Sequence, residues 1–232
     1  MSFAQKLNDG GESETLILVL DRSGSMEDGD WKPTRLAGAV DASIALIAVK
    51  AERYQQDCVG VVAFSTSASA VHPPVCVASG AKALNRSLSS IHPNSSTNIA
   101  AGLELAGGML MGLGGTAQKK HGIFDWLEQL ILEQPVAGIT PASRKGICRI
   151  ILLTDGAHNT GRSPVKVARK LKAAGMTIDC VGIGGTPRDV DEKRLKMLAS
   201  MGPDDHPRYA FIGSKQKLIR KFEALANRIR PA

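Results

Sequence analysis

Thr15-Leu16-Ile17-Leu18-Val19-Leu20-Asp21-Arg22-Ser23-Gly24-Ser25 is the stretch that decides the fold. The apolar run has the length and composition of a buried strand. Its first loop then offers one carboxylate and two hydroxyls at alternate positions. In an open α/β sheet, ligands collect at the carboxyl ends of the strands. Asp-x-Ser-x-Ser presents only hard oxygen atoms, which suit Mg²⁺ or Mn²⁺ and suit zinc poorly.

Two later segments have the same character. Ser95-Ser96-Thr97-Asn98 opens a helical pattern, and Ile150-Ile151-Leu152-Leu153-Thr154-Asp155-Gly156 is a second apolar strand ending in Asp-Gly. Together the three loops resemble the metal-ion-dependent adhesion site (MIDAS) of the von Willebrand factor A domain family, over roughly Glu14 to Ile229. The resemblance implies a Rossmann-like, doubly wound sheet, mostly parallel with one antiparallel edge-side strand and helices on both faces. It also implies a divalent cation (Mg²⁺ or Mn²⁺, with Ca²⁺ possible) held by Asp21, Ser23, Ser25, Thr97 and Asp155. Ser95-Ser96 stands where many relatives carry glycines, which permit backbone conformations that serine resists.

Along the chain, strand and helix patterns alternate, as a covered parallel sheet requires. Pro33 is placed near a helix start, and Leu36, Val40, Ile44 and Ile47 recur at helical spacing to about Tyr54. Cys58 to Phe64 and Ala70 to Val77 read as strands joined by Ser65-Thr66-Ser67. That turn is too short for a crossover, so the pair is antiparallel. Helices are expected at Ala81–Ser90, Asn98–Met111, Ser163–Gly175, Glu192–Ser200 and Ser214–Ile229, with strands at Met176–Val181 and Arg208–Ile212.

Residues 1–13 read as a flexible N-terminal segment and 14–232 as one domain, with a helical insertion at about 112–146. Inside it, His121–Gln134 is amphipathic. It either adds core cover to the sheet or forms a docking face in which Phe124, Trp126 and Leu130 contact a partner.

Hydrophobic content is 43%, charged 22% and aromatic 4%, so small aliphatic residues do the packing. Cys58, Cys76, Cys148 and Cys180 lack Cys-x-x-Cys spacing and read as buried, reduced thiols. Residues 1–14 are polar and no run reaches signal-peptide or membrane-span length, so the expectation is a cytoplasmic protein without a membrane partner. Net charge is +7, of which residues 119–232 contribute +10 (21 Lys+Arg, 11 Asp+Glu). Lys166, Arg169, Lys170, Lys172, Lys215, Lys217, Arg220 and Lys221 read as solvated helix faces. A nucleic-acid-binding alternative uses this basic half, although aromatic residues for base stacking are scarce there.

Two carboxylates and three neutral hydroxyls leave a bound cation electrophilic, and a partner's Asp or Glu fits that need. The expected function is therefore an intracellular adaptor domain that engages a protein partner through the cation. The family resemblance suggests AAA+ ATPases or kinase–phosphatase systems as partners. A phosphatase of the haloacid-dehalogenase type is the weaker alternative. Asp21 would be its nucleophile, but Ser23 stands where that chemistry needs a second aspartate. No Gly-x-Ser-x-Gly elbow is present, and the five histidines lack zinc spacing, so no enzyme activity is expected. His158 follows the Asp155 loop and reads as solvent-facing, with a place near the cation as the alternative; Glu27, Asp28 and Asp30 read as a solvated acidic loop, with gathering cations or repelling acidic ligands as the alternative.

Overall fold

The computed structural model describes residues 12–94, 96–112, 146–155 and 158–227. Its elements run β1 (Glu14–Asp21), α1 (Arg35–Arg53), β2 (Cys58–Phe64), β3 (Ala68–Cys76), α2 (Val77–Leu88), α3 (Ile99–Leu110), β4 (Ile147–Thr154), α4 (Pro164–Ala173), β5 (Thr177–Ile183), α5 (Glu192–Leu198), β6 (Tyr209–Ile212) and α6 (Lys215–Leu225). The sheet order is β3-β2-β1-β4-β5-β6. Every neighbouring pair is parallel except β2 with β3. The chain winds outward from β1 in one direction and resumes at β4 in the other, so the topological switch point lies between the ends of β1 and β4. That is where a doubly wound sheet opens its crevice.

Alternation along the central strands explains the two helical layers. Leu16, Leu18 and Leu20 of β1 join Val59, Val61, Ile151 and Leu153 in one core against α1, α2 and α6. Ile17 and Val19 join Val62, Phe64, Ile150 and Leu152 in the other, against α3, α4 and α5. With both faces covered, the central strands carry near-continuous apolar runs, residues 16–20 in β1 and 150–153 in β4. Each fully buried aliphatic side chain contributes about 1.5–3 kcal/mol. Helix α3 is rich in small residues because it lies close on the sheet: a Cβ on Gly102 would meet Phe64 at 2.9 Å and Val19 at 3.0 Å.

Several element bounds differ from the sequence reading. Helix α2 begins at Val77, so Val77 belongs to a helix rather than to the preceding strand. Ser163 is the N-cap of α4, but its side chain makes no capping hydrogen bond. Of the four cysteines only Cys180 is buried; Cys58, Cys76 and Cys148 are half-buried thiols near the ends of their strands. The helix expected at His121–Gln134, with Phe124, Trp126 and Leu130, lies outside the described residues, as do residues 1–11 and Ser95.

At the edge of the sheet opposite the switch point sits a group of buried charges. Lys50 Nζ meets Glu14 Oε2 at 2.5 Å and Asp57 Oδ2 at 2.7 Å. Arg149 Nε donates to Asp179 Oδ2 at 2.7 Å, and its NH1 lies 3.4 Å from Glu14 Oε1. Arg208 adds a third cation, 3.4 Å from Asp179. Three positive and three negative side chains neutralise one another here, as burial demands.

Candidate metal centre

Asp21 closes β1 and is fully buried. Its Oδ1 accepts the Ser23 backbone N–H at 2.8 Å, which folds the first loop back over the strand end. Its Oδ2 accepts the Thr154 hydroxyl at 2.5 Å. Thr154 ends β4, whose register places Leu153 beside Leu20, so the β1–β4 ladder itself sets this contact. Asp155, the next residue, is buried as well. Burial, and then the charge of Asp155, push the Asp21 carboxyl up to about 7. Hydrogen bonds from Thr154 and Ser23 oppose that rise without cancelling it.

The hydroxyls of Ser23 and Ser25 lie 3.3 Å apart; Ser23 is the N-cap of a short 3-10 turn (Gly24–Glu27) that contains Ser25. Thr97 is brought in from the third loop. Its backbone N–H donates to Asn159 Oδ1 at 3.0 Å, and its carbonyl accepts the Asn159 N–H at 3.1 Å. This reciprocal pair ties the Thr97 loop to the segment following Asp155. The same loop is bound to the first one where Asn94 N–H donates to the Arg22 carbonyl at 2.7 Å, and to the end of β2 where Asn98 N–H donates to the Ser65 carbonyl at 2.7 Å. Asn98 Oδ1 caps α3 through Ala101 N–H at 3.1 Å.

Three loops distant in sequence therefore adjoin at the switch point. Asp21, Ser23 and Ser25 lie on the first, Thr97 on the second and Asp155 on the third. Among the described residues, no group of three or more His, Cys, Asp or Glu side chains is placed to hold a metal. A cation here would rest on two carboxylates and neutral hydroxyls. That donor set fits a hard divalent ion that keeps several waters. The elevated Asp21 fits it too, since two buried carboxylates in one site favour a nearby positive charge.

Sequence reasoning missed two contributors, Arg35 and Asn159, and read a third, His158, as solvent-facing. Arg35, the first residue of α1, is buried among acids: it donates to Asp30 Oδ1 at 2.9 Å and Oδ2 at 2.7 Å, and its NH1 lies 3.4 Å from Asp28 and 3.6 Å from Asp155. The loop expected to be a solvated acidic segment is instead gathered in part on this guanidinium. An arginine opposes the helix dipole at an N-terminus, and these carboxylates offset that cost. Asn159, four residues past Asp155, has the shape of an ordinary loop polar residue. His158 is half-buried rather than solvent-facing: its Nδ1 accepts the Ile99 N–H at 3.3 Å at the start of α3. Burial and the nearby Arg194 lower its imidazole below the ordinary value. The Asn-Thr-Gly run after Asp155-Gly156 was the one available signal, since such residues commonly bind neighbouring backbone.

The basic helices are not solvated throughout. Lys172 Nζ donates to the Met197 and Ala199 carbonyls at 3.1 and 2.9 Å, capping the end of α5, and Lys215 pairs with Asp41 on α1. Lys166, Arg169, Lys217 and Arg220 are exposed.

The sheet agrees with comparison to known proteins. Residues 16–158 match the family model described as von Willebrand factor type A domain, and residues 134–224 match a second model of the same description. The chain belongs to the von Willebrand factor type A domain family, whose members commonly serve protein interaction or adhesion. It is 24% identical over 211 residues to the uncharacterised protein YfbK of Escherichia coli K12, covering 89% of this chain and 30% of that relative. The chain thus spans under a third of that protein's length. Among solved structures it resembles the conserved hypothetical protein BatB of Bacteroides thetaiotaomicron, with a TM-score of 0.62 at 19% identity, covering 91% of this chain and 96% of that one. It also resembles proximal thread matrix protein 1 of the mussel byssus with a zinc-occupied MIDAS motif, with a TM-score of 0.64 at 18% identity, covering 93% and 48%. No helix among the described residues is long and apolar enough to cross a membrane.

Proposed function

We propose that this domain binds a protein partner through a divalent cation held by Asp21, Ser23, Ser25, Thr97 and Asp155. One observation carries the reading: Asp21 is fully buried beside Asp155 at the switch point and pushed up to about 7, directly behind a pair of serine hydroxyls. When bound, the cation supplies a Lewis-acidic centre with a coordination position open to a foreign carboxylate oxygen. Asp21, already accepting from Ser23 and Thr154, keeps its lone pairs aimed by those two donors. Ser23, Ser25 and Thr97 add oxygen without adding charge, which preserves the demand for an acidic side chain from the partner. Asp155 completes the donor set and is itself balanced by Arg35.

Mg²⁺ or Mn²⁺ is the resident ion we favour, on the all-oxygen donor set. The zinc-occupied mussel relative makes zinc a necessary arm of any titration. We place the domain inside the cell as a non-enzymatic adaptor, with AAA+ ATPases and kinase–phosphatase systems as the first partner classes to test. Capture of partners from native lysate in Mg²⁺, repeated in EDTA, is the experiment. The adaptor reading expects specific partners to disappear in EDTA and with Asp21→Ala or Thr97→Ala, while circular dichroism is unchanged. Retention on heparin or RNA with a steep salt dependence, insensitive to Asp21→Ala, would instead favour nucleic-acid binding.

A further inference from the structure

We propose that Cys58 and Cys76 form a reversible dithiol–disulfide pair that staples the edge hairpin of the sheet. The two residues are direct cross-strand partners in the antiparallel β2–β3 ladder. Val77 N–H donates to the Asp57 carbonyl at 2.9 Å, so the hydrogen-bonded rung lies one residue further out and Cys58–Cys76 is a non-hydrogen-bonded pair. Opposed residues of that type have Cα atoms about 4.5 Å apart, within the roughly 4.4–6.8 Å that a disulfide spans. Directly opposed residues also share one face of the sheet. The Cys76 thiol donates to the Gln55 carbonyl at 2.9 Å, beyond the strand end, and turning its side chain toward Cys58 gives up that bond.

Both thiols are half-buried and within reach of a small reagent. The other two cysteines are excluded by position. Thr15 of β1 pairs with Cys58 on one side and Cys148 on the other, which puts those two thiols two strand spacings apart, about 9.6 Å. Cys180 is fully buried in β5.

The oxidant is a small-molecule disulfide of the glutathione class. One protein thiolate attacks it, expelling one glutathione thiolate and leaving a mixed disulfide. The second protein thiolate attacks the protein sulfur of that bond and expels the other glutathione. Two protein thiols are oxidised, one glutathione disulfide is reduced, and two glutathione thiols are released with the two protons. Because Cys76 is also the N-cap residue of α2, the bond ties the start of that helix to β2.

The test treats the full chain with oxidised glutathione, quenches with an alkylating agent after unfolding, and reads tryptic peptides by mass. Residues 54–82 carry both cysteines in one tryptic peptide. The expected result is that this peptide loses two hydrogens and takes up no label, while Cys148 and Cys180 remain labelled and a reductant restores both labels on 54–82. The Cys148→Ser variant gives the same yield, and Cys58→Ser stops at a mixed disulfide on Cys76. A link from Cys58 or Cys76 to Cys148, to Cys180 or to a second chain overturns the proposal. So does full labelling of 54–82 under conditions in which the urea-unfolded chain oxidises.

Discussion

Asp21 is held under electrostatic tension that can be measured without any partner. With no cation present, the folded chain keeps a proton on Asp21 up to pH about 7, whereas the unfolded chain releases it near the ordinary value of 3.8. The folded state then binds more protons between those values, so this group's contribution to stability is present at low pH and is lost as pH rises toward 7. His158 has the opposite sign. Its folded value lies below the ordinary 6.5, so its contribution is present above that pH and fades as pH falls. Comparing wild type with Asp21→Asn in EDTA cancels the histidine. The melting temperature of wild type minus that of the variant should fall between about pH 5 and about pH 7.5. A difference that does not change with pH would mean that Asp21 does not titrate in this range.

The loops that meet at the switch point depend on how single elements begin. Gly161 has φ +89°, and a Cβ there would lie 2.5 Å from both side-chain heteroatoms of Asn98. Gly161→Ala should therefore cost about 1–3 kcal/mol in backbone strain. By displacing the cap of α3, it should also weaken cation binding at Thr97, readable in urea melts and in a Mg²⁺ titration. A stable variant with unaltered affinity would separate this turn from the site. Element positions were legible where the pattern was long: β1, β2 and β4 carry the apolar runs at residues 16–20, 59–64 and 150–153, and α1 carries a clear helical stripe. The start of α2 was not. Val77 is β-branched and continues an apolar strand pattern, while Gly80 looks like a breaker. In the fold, Gly80 instead lets α2 abut β3, because a Cβ there would lie 2.3 Å from Val75. The roles of Arg35 and Asn159 were equally hidden, since their partners are fixed by tertiary contact rather than by local spacing.

Across the whole molecule, the sheet separates two kinds of charge. At the switch-point edge, among the described residues, Asp21, Asp28, Asp30 and Asp155 outnumber the buried Arg35, an excess that the proposed cation would offset. At the opposite edge, Glu14, Asp57 and Asp179 are matched by Lys50, Arg149 and Arg208, and Arg149 NH1 also donates to the Leu225 carbonyl at 2.9 Å, fastening the end of α6. Composition conveyed only a basic C-terminal half, because pairing between residues 14, 50, 57 and 149 cannot be read from any local window. Lys50→Met should remove the cation that Glu14 and Asp57 share, leaving Glu14 the more distant Arg149 at 3.4 Å, and cost about 3–5 kcal/mol in urea unfolding; a loss below about 1 kcal/mol would show the network to be solvated. The most direct measurement of the central claim is calorimetric titration of the full chain with Mg²⁺, Mn²⁺ and Zn²⁺ beside Asp21→Asn. We expect one site per chain in wild type, weakened at least about tenfold, or ~1.4 kcal/mol, in the variant. Absence of uptake for all three ions, or equal uptake by both proteins, would contradict it.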